Sequence, residues 1–434
     1  MHTLQQLRSG ALAGIQRLSM RCGLTEFPRE IFTLADTLEV LDLSGNALSS
    51  LPDDLHRLHK LRILFCSDNQ FTELPASIGA CAALSMVGFK ANQIRHVPAA
   101  ALPPQLRWLV LTDNQIEELP TALGERPQLQ KLMLAGNRLR ALPASMAQLH
   151  KLELLRIASN QLDGLPDWLL SLPRLTWLAY AGNPFCAQQE DALAHTPSAA
   201  ISWNALTLRN KLGEGASGVI YRADWQRSAQ DNTTDTGQPV AVKLFKGAMT
   251  SDGSPLSEMA ASLGAGAHPN LVPILGHIED HPENAHGLVM SLIPSAFGNL
   301  AGPPSLDSCT RDIYTDGKRF SLAEALRIAR GIASAAAQLH AHGIMHGDLY
   351  GHNILHDAHG NTLLGDFGAA SFYDPASPQA AALQTLEVRA FGNLLQELLD
   401  RSDSAPAALR ELQSACQQGV PRFHNIQEQL DNPF

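Results

Sequence analysis

"LEVLDLSGNALSSLP" (residues 38–52) and "LQKLMLAGNRLRALP" (129–143) share one frame, and that frame sets the architecture of the first half of the chain. Its Asn recurs at Asn46, Asn69, Asn92, Asn114, Asn137, Asn160 and Asn183, at steps of 23, 23, 22, 23, 23 and 23 residues. Such a period marks stacked units, each a short strand, a turn and a return segment. No unit can bury its apolar side alone, so stacking buries the Leu columns. The Asn amides are expected to form a ladder that satisfies turn backbone groups. The Leu-Pro pairs ending at Pro52, Pro75, Pro120, Pro143 and Pro166, with Val97-Pro98 in the equivalent place, sit where the return path needs no sheet donor.

The pattern L-x-x-L-x-L-x-x-N-x-L resembles the leucine-rich repeat family over residues 1–186, with about eight units. The first, "IQRLSMRCGLTEFP" (15–28), has Cys22 in place of the Asn, and "GNPFC" (182–186) ends the frame. Alternate strand residues point to opposite faces. Phe65, Met86, Trp108, Met133 and Trp177 are therefore expected on the concave face. They form an apolar stripe suited to a protein partner. Docking of this stripe against the chain's own second half is the alternative.

Composition narrows the remaining classes. Of 434 residues, 45% are apolar and 17% charged, which describes a globular chain. A formal charge of −10 argues against nucleic acid, whose binding rests on cationic contacts to phosphate. Cys22, Cys66, Cys81, Cys186, Cys309 and Cys416 show no metal-ligand spacing. Reduced thiols in a cytoplasmic protein are the expectation, with secretion lacking a signal peptide left open. No stretch reaches the ~18 apolar residues of a membrane span.

Residues 187–204 lose the Leu period and read as a linker. From 205 onward the pattern changes. "LTLRNKLGEGASGVIYRADW" (206–225) reads as strand, Gly-rich turn, strand, with Gly213, Gly215 and Gly218 leaving room for backbone N–H groups to approach phosphates. "QPVAVKLFK" (238–246) is a strand delivering Lys243. Glu258, in the expected helix "PLSEMAASLGA" (255–265), is the acidic residue available to hold it. An amphipathic helix (321–344) then leads to "HGDLYGHNIL" (346–355), followed by "LLGDFGAAS" (363–371).

In this order the motifs resemble a protein kinase over residues 205–434. The fold class expected is α/β in two domains: a leucine-rich-repeat solenoid and a bilobal protein-kinase-like α+β fold. The resemblance implies roles residue by residue. Asp348 would orient an acceptor hydroxyl and take its proton. Asn353 and Asp366 would hold Mg²⁺, with Mn²⁺ an alternative, and Lys243 positioned by Glu258 would grip the ATP phosphates. Leu212, Ile220 and Ala241 would enclose the adenine, with Met290 at the gatekeeper position. A Ser or Thr acceptor on a recruited protein, or on the chain itself, is the leading expectation.

Departures from that family are informative. Gly347 replaces the Arg of H-R-D, which removes the cation that grips an activation-loop phosphate. Tyr350 stands where a Lys is common. No A-P-E triplet separates Asp366 from Glu387, read here as opening the next helix, and Arg422 has no evident acidic partner. "HGDLYGHNIL" also resembles the loop of small-metabolite and antibiotic kinases. That activity, and a scaffold with a vestigial kinase lobe, stay as alternatives. Oligomeric state is not legible.

Overall fold

The computed structural model describes residues 1–194, 197–215, 217–227, 237–247 and 249–431, so residues 195–196 of the expected linker lie outside it. The chain divides into two compact units. One comprises Met1–Leu175 with Asn183–Phe185, and the other comprises Thr176–Gly182 with Cys186–Phe434.

In the first unit, three-residue strands stack in chain order from Arg17–Ser19 through Val40–Asp42, Ile63–Phe65, Met86–Gly88, Trp108–Val110 and Lys131–Met133 to Leu154–Arg156. Each pairs with the next in parallel, in strict register. The central residue of every strand, for example Leu41, Leu64, Leu109 and Leu132, is buried. Short 3₁₀ helices make the return path. Pro28, Pro75, Pro98, Pro120 and Pro143 stand at their N-caps, where a missing N–H leaves nothing unsatisfied.

The Asn residues form the expected ladder. Asn69 accepts from Leu48 N–H at 2.9 Å and donates to the carbonyls of Leu43, Cys66 and Ser67 at 3.0–3.1 Å. Asn114, Asn137 and Asn160 repeat the arrangement at their own turns. The degenerate first repeat is tied in as well, because Asn46 Oδ1 accepts from both Cys22 and Leu24 N–H. The residue before each Asn adopts a positive φ: Gly45, Asp68, Ala91, Asp113, Gly136, Ser159 and Gly182 span 52–72°. For the non-Gly members this conformation costs about 1 kcal/mol or more each. The buried amide bonds beside them offset that cost.

The apolar stripe needs correction. In-register pairing creates two rows. One runs Val40, Ile63, Met86, Trp108, Lys131, Leu154; the other runs Asp42, Phe65, Gly88, Val110, Met133, Arg156. Charged Asp42, Lys131 and Arg156 therefore interrupt it. Met86, Met133 and Trp177 are buried, while Phe65 and Trp108 are half-buried. Neighbouring strands supply much of this cover. The Phe65 ring lies over Gly88, and Lys131 Nζ sits 4.2 Å from the centre of the Trp108 ring. Trp177 belongs to the second unit and is covered there.

The second unit opens with a sheet ordered Leu206–Glu214, Gly218–Trp225, Gln238–Phe245, Gly287–Ser291, Ile274–Glu279, Ala200–Ser202. All neighbours are antiparallel except the last strand, which comes from the expected linker and runs parallel to Ile274–Glu279. Its core is Ile201, Leu206, Ala223, Val240, Val242, Ile278 and Val289. Helices follow. Leu322–Ala341 begins with a capping box, Ser321 and Glu324 each satisfying the other's backbone. It buries Ala325, Ile328, Ala329 and Ile332, the 3.6-residue stripe of a core helix. Ala380–Asp400 is the second long helix, and Ala407–Gln417 and Phe423–Asp431 complete the set. Glu387 lies within the Ala380–Asp400 helix instead of opening it. The chain folds into that helix as soon as Pro378 is passed. Among the described residues, no helix is long and apolar enough to cross a membrane.

Candidate active site

Strand register brings the upper half of the site together. Gly213 pairs with Ile220, Ile220 with Lys243, and Ala241 with Met290. Ala241 and Lys243, two residues apart, share one face of their strand. Leu212 sits at an irregularity between the pairs Lys211–Tyr221 and Gly213–Ile220 and is 48% exposed. A Cβ at Gly218 would lie 2.5 Å from Leu244 O, so the close backbone approach demands glycine there; at Gly213 and Gly215 a Cβ would meet open space. Lys211 and Lys246 bond Glu214 at the lip of this turn, and their hydrogen bonds pull its carboxyl down to about 2.

Lys243 and Glu258 form an ion pair with side chains 12% and 3% exposed. Helix Pro255–Gly264 presents Glu258 in its first turn, where the macrodipole favours a carboxylate, and Ser254 caps it by accepting from Leu256 N–H at 3.2 Å. Burial pushes the Glu258 carboxyl up, the Lys243 charge opposes this, and the charge of Asp366 adds to the rise. The position of Gly368 places Asp366 near the pair: a Cβ there would lie 3.2 Å from Asp366 Oδ1 and 3.9 Å from Glu258 Oε2.

The lower half is built from backbone tethers. Asn353 Nδ2 donates to Asp348 O and to Asp348 Oδ2, both at 2.8 Å. Gly365 N–H donates to Asn353 O at 3.1 Å, and His346 Nε2 meets Gly365 O at 2.9 Å. The loop of Asp348 and the segment of Asp366 are thus fastened to each other. Asp366 itself has φ of 56°, a left-handed turn held by Gly368 N–H on its Oδ1 at 3.3 Å.

Sequence reading missed three parts of this site. His352 lies between two carboxylates: Nδ1 is 2.7 Å from Asp312 Oδ1, and Nε2 is 4.0 Å from Asp348 Oδ2. Burial alone would lower its pKa. The hydrogen bond that His352 donates to Asp312 and the charges of Asp312, Asp348 and Asp366 outweigh burial and raise it. Glu387 is fully buried, accepting from Gly347 N–H at 2.7 Å while its other oxygen meets His340 Nε2 at 2.6 Å. Trp177 donates from Nε1 to Leu349 O at 3.2 Å and stacks on Tyr350. Arg422, for which no acidic partner was legible, donates instead to Ala381 O at 2.6 Å.

Which ion could this site hold? Among the described residues no group of three or more His, Cys, Asp and Glu has metal-binding geometry. Asn353 turns its nitrogen to Asp348, which leaves its carbonyl oxygen as a donor, and its backbone is bonded to Gly365, the residue before Asp366. Two hard oxygen donors suit an ion that takes its other ligands from nucleotide phosphates and water, as Mg²⁺ does.

Residues 206–389 match the family described as protein tyrosine and serine/threonine kinase. Residues 36–78 and 127–185 match two leucine-rich-repeat models. The chain is 32% identical over 164 residues to an L-type lectin-domain containing receptor kinase S.7 of Oryza sativa, covering 37% of this chain and 21% of that one. It is 31% identical over 176 residues to cysteine-rich receptor-like protein kinase 37 of Arabidopsis thaliana, covering 39% and 24%. It is 29% identical over 181 residues to the serine/threonine-protein kinase mos of Gallus gallus, covering 39% and 48%. The chain spans 8% of one curated relative and 52% of another. It carries a leucine-rich repeat array and, over residues 206–389, a domain of the protein tyrosine and serine/threonine kinase family.

Proposed function

We propose that this chain is an ATP-dependent protein kinase that transfers a phosphoryl group to a Ser or Thr hydroxyl of a protein. The observation that carries the reading is the buried Lys243–Glu258 ion pair with Asp366 near it. An assembled kinase site requires that pair, because phosphoryl transfer is catalysed by placement and charge neutralisation and needs little covalent chemistry.

In this reading Lys243 binds the α- and β-phosphates, and Glu258 fixes its direction. Leu212, Ile220, Ala241 and Met290 enclose the adenine, and the glycine turn closes over the triphosphate. Asn353 and Asp366 would hold the divalent ion, which would supply positive charge to neutralise the phosphates. Asp348 accepts a hydrogen bond from the acceptor hydroxyl and takes its proton as the oxygen attacks. The Asn353 tether keeps the Asp348 carboxylate turned to that task. The partly exposed rows around Phe65 and Trp108 recruit the protein that bears the hydroxyl.

Incubating the full chain with ATP labelled in the γ-phosphate, beside Asp348→Ala and Lys243→Ala variants, tests this. Label on protein that disappears in both variants is the expected result. Label that appears only on small hydroxyl or amine compounds would move the activity to metabolite phosphorylation. Nucleotide binding without turnover, in every condition, would leave only a scaffold.

A further inference from the structure

Gly347 stands where a kinase that answers to loop phosphorylation carries an arginine. The space is not vacant. Gly347 has φ of 71°, and a Cβ there would overlap the carbonyl oxygen of Ala369 and lie 2.8 Å from that of Leu178. Leu178 belongs to the strand Trp177–Ala179, which is part of the second unit.

That strand and the residues just after it touch successive parts of the site. Trp177 is 1% exposed; its indole N–H donates to Leu349 O, the carbonyl next after Asp348, and its ring lies against Tyr350. Tyr180 N–H donates to Ser371 Oγ at 2.8 Å, in the segment that follows Asp366. Ser371 and Phe372 in turn pair with Met345 and Ile344, which lead into the Asp348 loop. Gly182 N–H then donates to Glu190 Oε1 at 2.9 Å, and the same oxygen accepts from Ser257 Oγ at 3.0 Å, one residue before Glu258. A continuous stretch of chain therefore reaches the catalytic loop, the activation segment and the Glu258 helix. Meanwhile the activation segment has little to offer a regulating kinase. Of its hydroxyls before the next helix, Ser371 and Tyr373 are buried and Ser377 is half-buried.

We infer that Trp177–Gly182 is a positioning strut: it holds the Asp348 loop and the activation segment in working arrangement, in place of an arginine–phosphate pair. Trp177 is its principal positioning residue, acting on Asp348 through Leu349 and Tyr350. The inference rests on the kinase reading for its catalytic meaning, but the holding itself is independent of turnover. An arginine–phosphate pair orders a loop by charge-assisted hydrogen bonds made after modification. The strut instead uses backbone carbonyls, an indole N–H and ring stacking that are present as soon as the chain folds.

The test compares the full chain with Trp177→Phe, which keeps a ring and loses the N–H, and Trp177→Leu, which loses both. Amide hydrogen exchange reads the holding. Trp177→Leu is expected to speed exchange at least tenfold at residues 346–353 and 366–373 and to leave 206–225 and 238–245 unchanged, with Trp177→Phe intermediate. ATP kinetics read the consequence: kcat falls at least tenfold in Trp177→Leu and less in Trp177→Phe, while KM for ATP stays within twofold. Phosphatase treatment of the wild-type chain leaves kcat within twofold. Exchange that rises equally across the unit, or not at all, overturns the strut, as does a kcat lost upon phosphatase treatment. If the wild-type chain shows no turnover, the kinase reading fails and the exchange pattern alone decides the strut.

Discussion

Asn353 bonds Asp348 twice, at its backbone oxygen and at its carboxylate Oδ2, each at 2.8 Å. One amide nitrogen thus fixes both the loop and the rotamer of the residue proposed to receive the acceptor proton. An Asp at 353 keeps an oxygen for a metal ion but replaces the donor with a second carboxylate. Like charges at this range repel strongly. Asn353→Asp is therefore expected to lose as much kcat as Asn353→Ala, roughly a hundredfold or more, since misplacing a reacting group by about 1 Å has that effect. Steady-state turnover of both variants at saturating Mg²⁺ decides it; an active Asn353→Asp would show that only the metal-ligand role matters.

Restoring an arginine at position 347 should harm the site. A side chain there meets Ala369 O and Leu178 O, and φ of 71° costs a non-glycine residue about 1 kcal/mol besides. Gly347→Arg and Gly347→Ala are both expected to lower kcat more than tenfold, and the arginine should not confer dependence on phosphorylation. Assays before and after phosphatase treatment check this.

The repeat array carries local strain that can be relieved. Ala91 has φ of 53°, in the place where the turns of Asn46 and Asn137, two repeats away on either side, use Gly45 and Gly136. Ala91→Gly is expected to stabilise the array by about 1 kcal/mol, and Gly136→Ala to destabilise it by a similar amount. Urea unfolding followed by far-ultraviolet circular dichroism measures both shifts.

Glu397 makes the second unit's stability depend on pH. Burial first, and then the charge of Asp312, pushes its carboxyl up to about 7, against the hydrogen bond from Tyr314 and the charges of Arg311 and Arg401. The unfolded chain ionises this group near its ordinary value of 4.5, while the folded chain keeps the proton until about 7. Between those values the folded state holds more protons, so stability falls as pH rises through the window and is level above it. Glu397→Gln still accepts from Tyr314 and never ionises. It is expected to be more stable than wild type at pH 8, by up to about 3 kcal/mol, and equal to it near pH 4.5. Calorimetric melting at the two pH values gives the comparison.

What the sequence could and could not disclose follows from how far apart the interacting residues lie. The 23-residue period maps directly onto stacked neighbours, so the Leu columns and the Asn ladder were legible. The left-handed residue before each Asn was not, because Gly, Asp, Ala and Ser all occupy it. The apolar stripe was misjudged since its rows also hold Asp42, Lys131 and Arg156, and Trp177 packs in the other unit. In the site, motif order named Lys243, Glu258, Asp348, Asn353 and Asp366, and Lys243 meets Glu258 while Asn353 meets Asp348. Asp312 with His352 and Glu387 with Gly347 each span 40 residues, and Trp177 with Leu349 spans 172. No periodicity or local spacing signals contacts of that kind.

Calorimetric titration of ATP into the full chain, with and without Mg²⁺, separates nucleotide binding from chemistry most directly. One ATP site is predicted, weakened at least tenfold in Lys243→Met and within threefold of wild type in Asp348→Asn, whose turnover should nevertheless fall by roughly a thousandfold. An Asp348→Asn variant that keeps its turnover, or a Lys243→Met variant that binds ATP as wild type does, would contradict the convergence of these side chains on a nucleotide triphosphate.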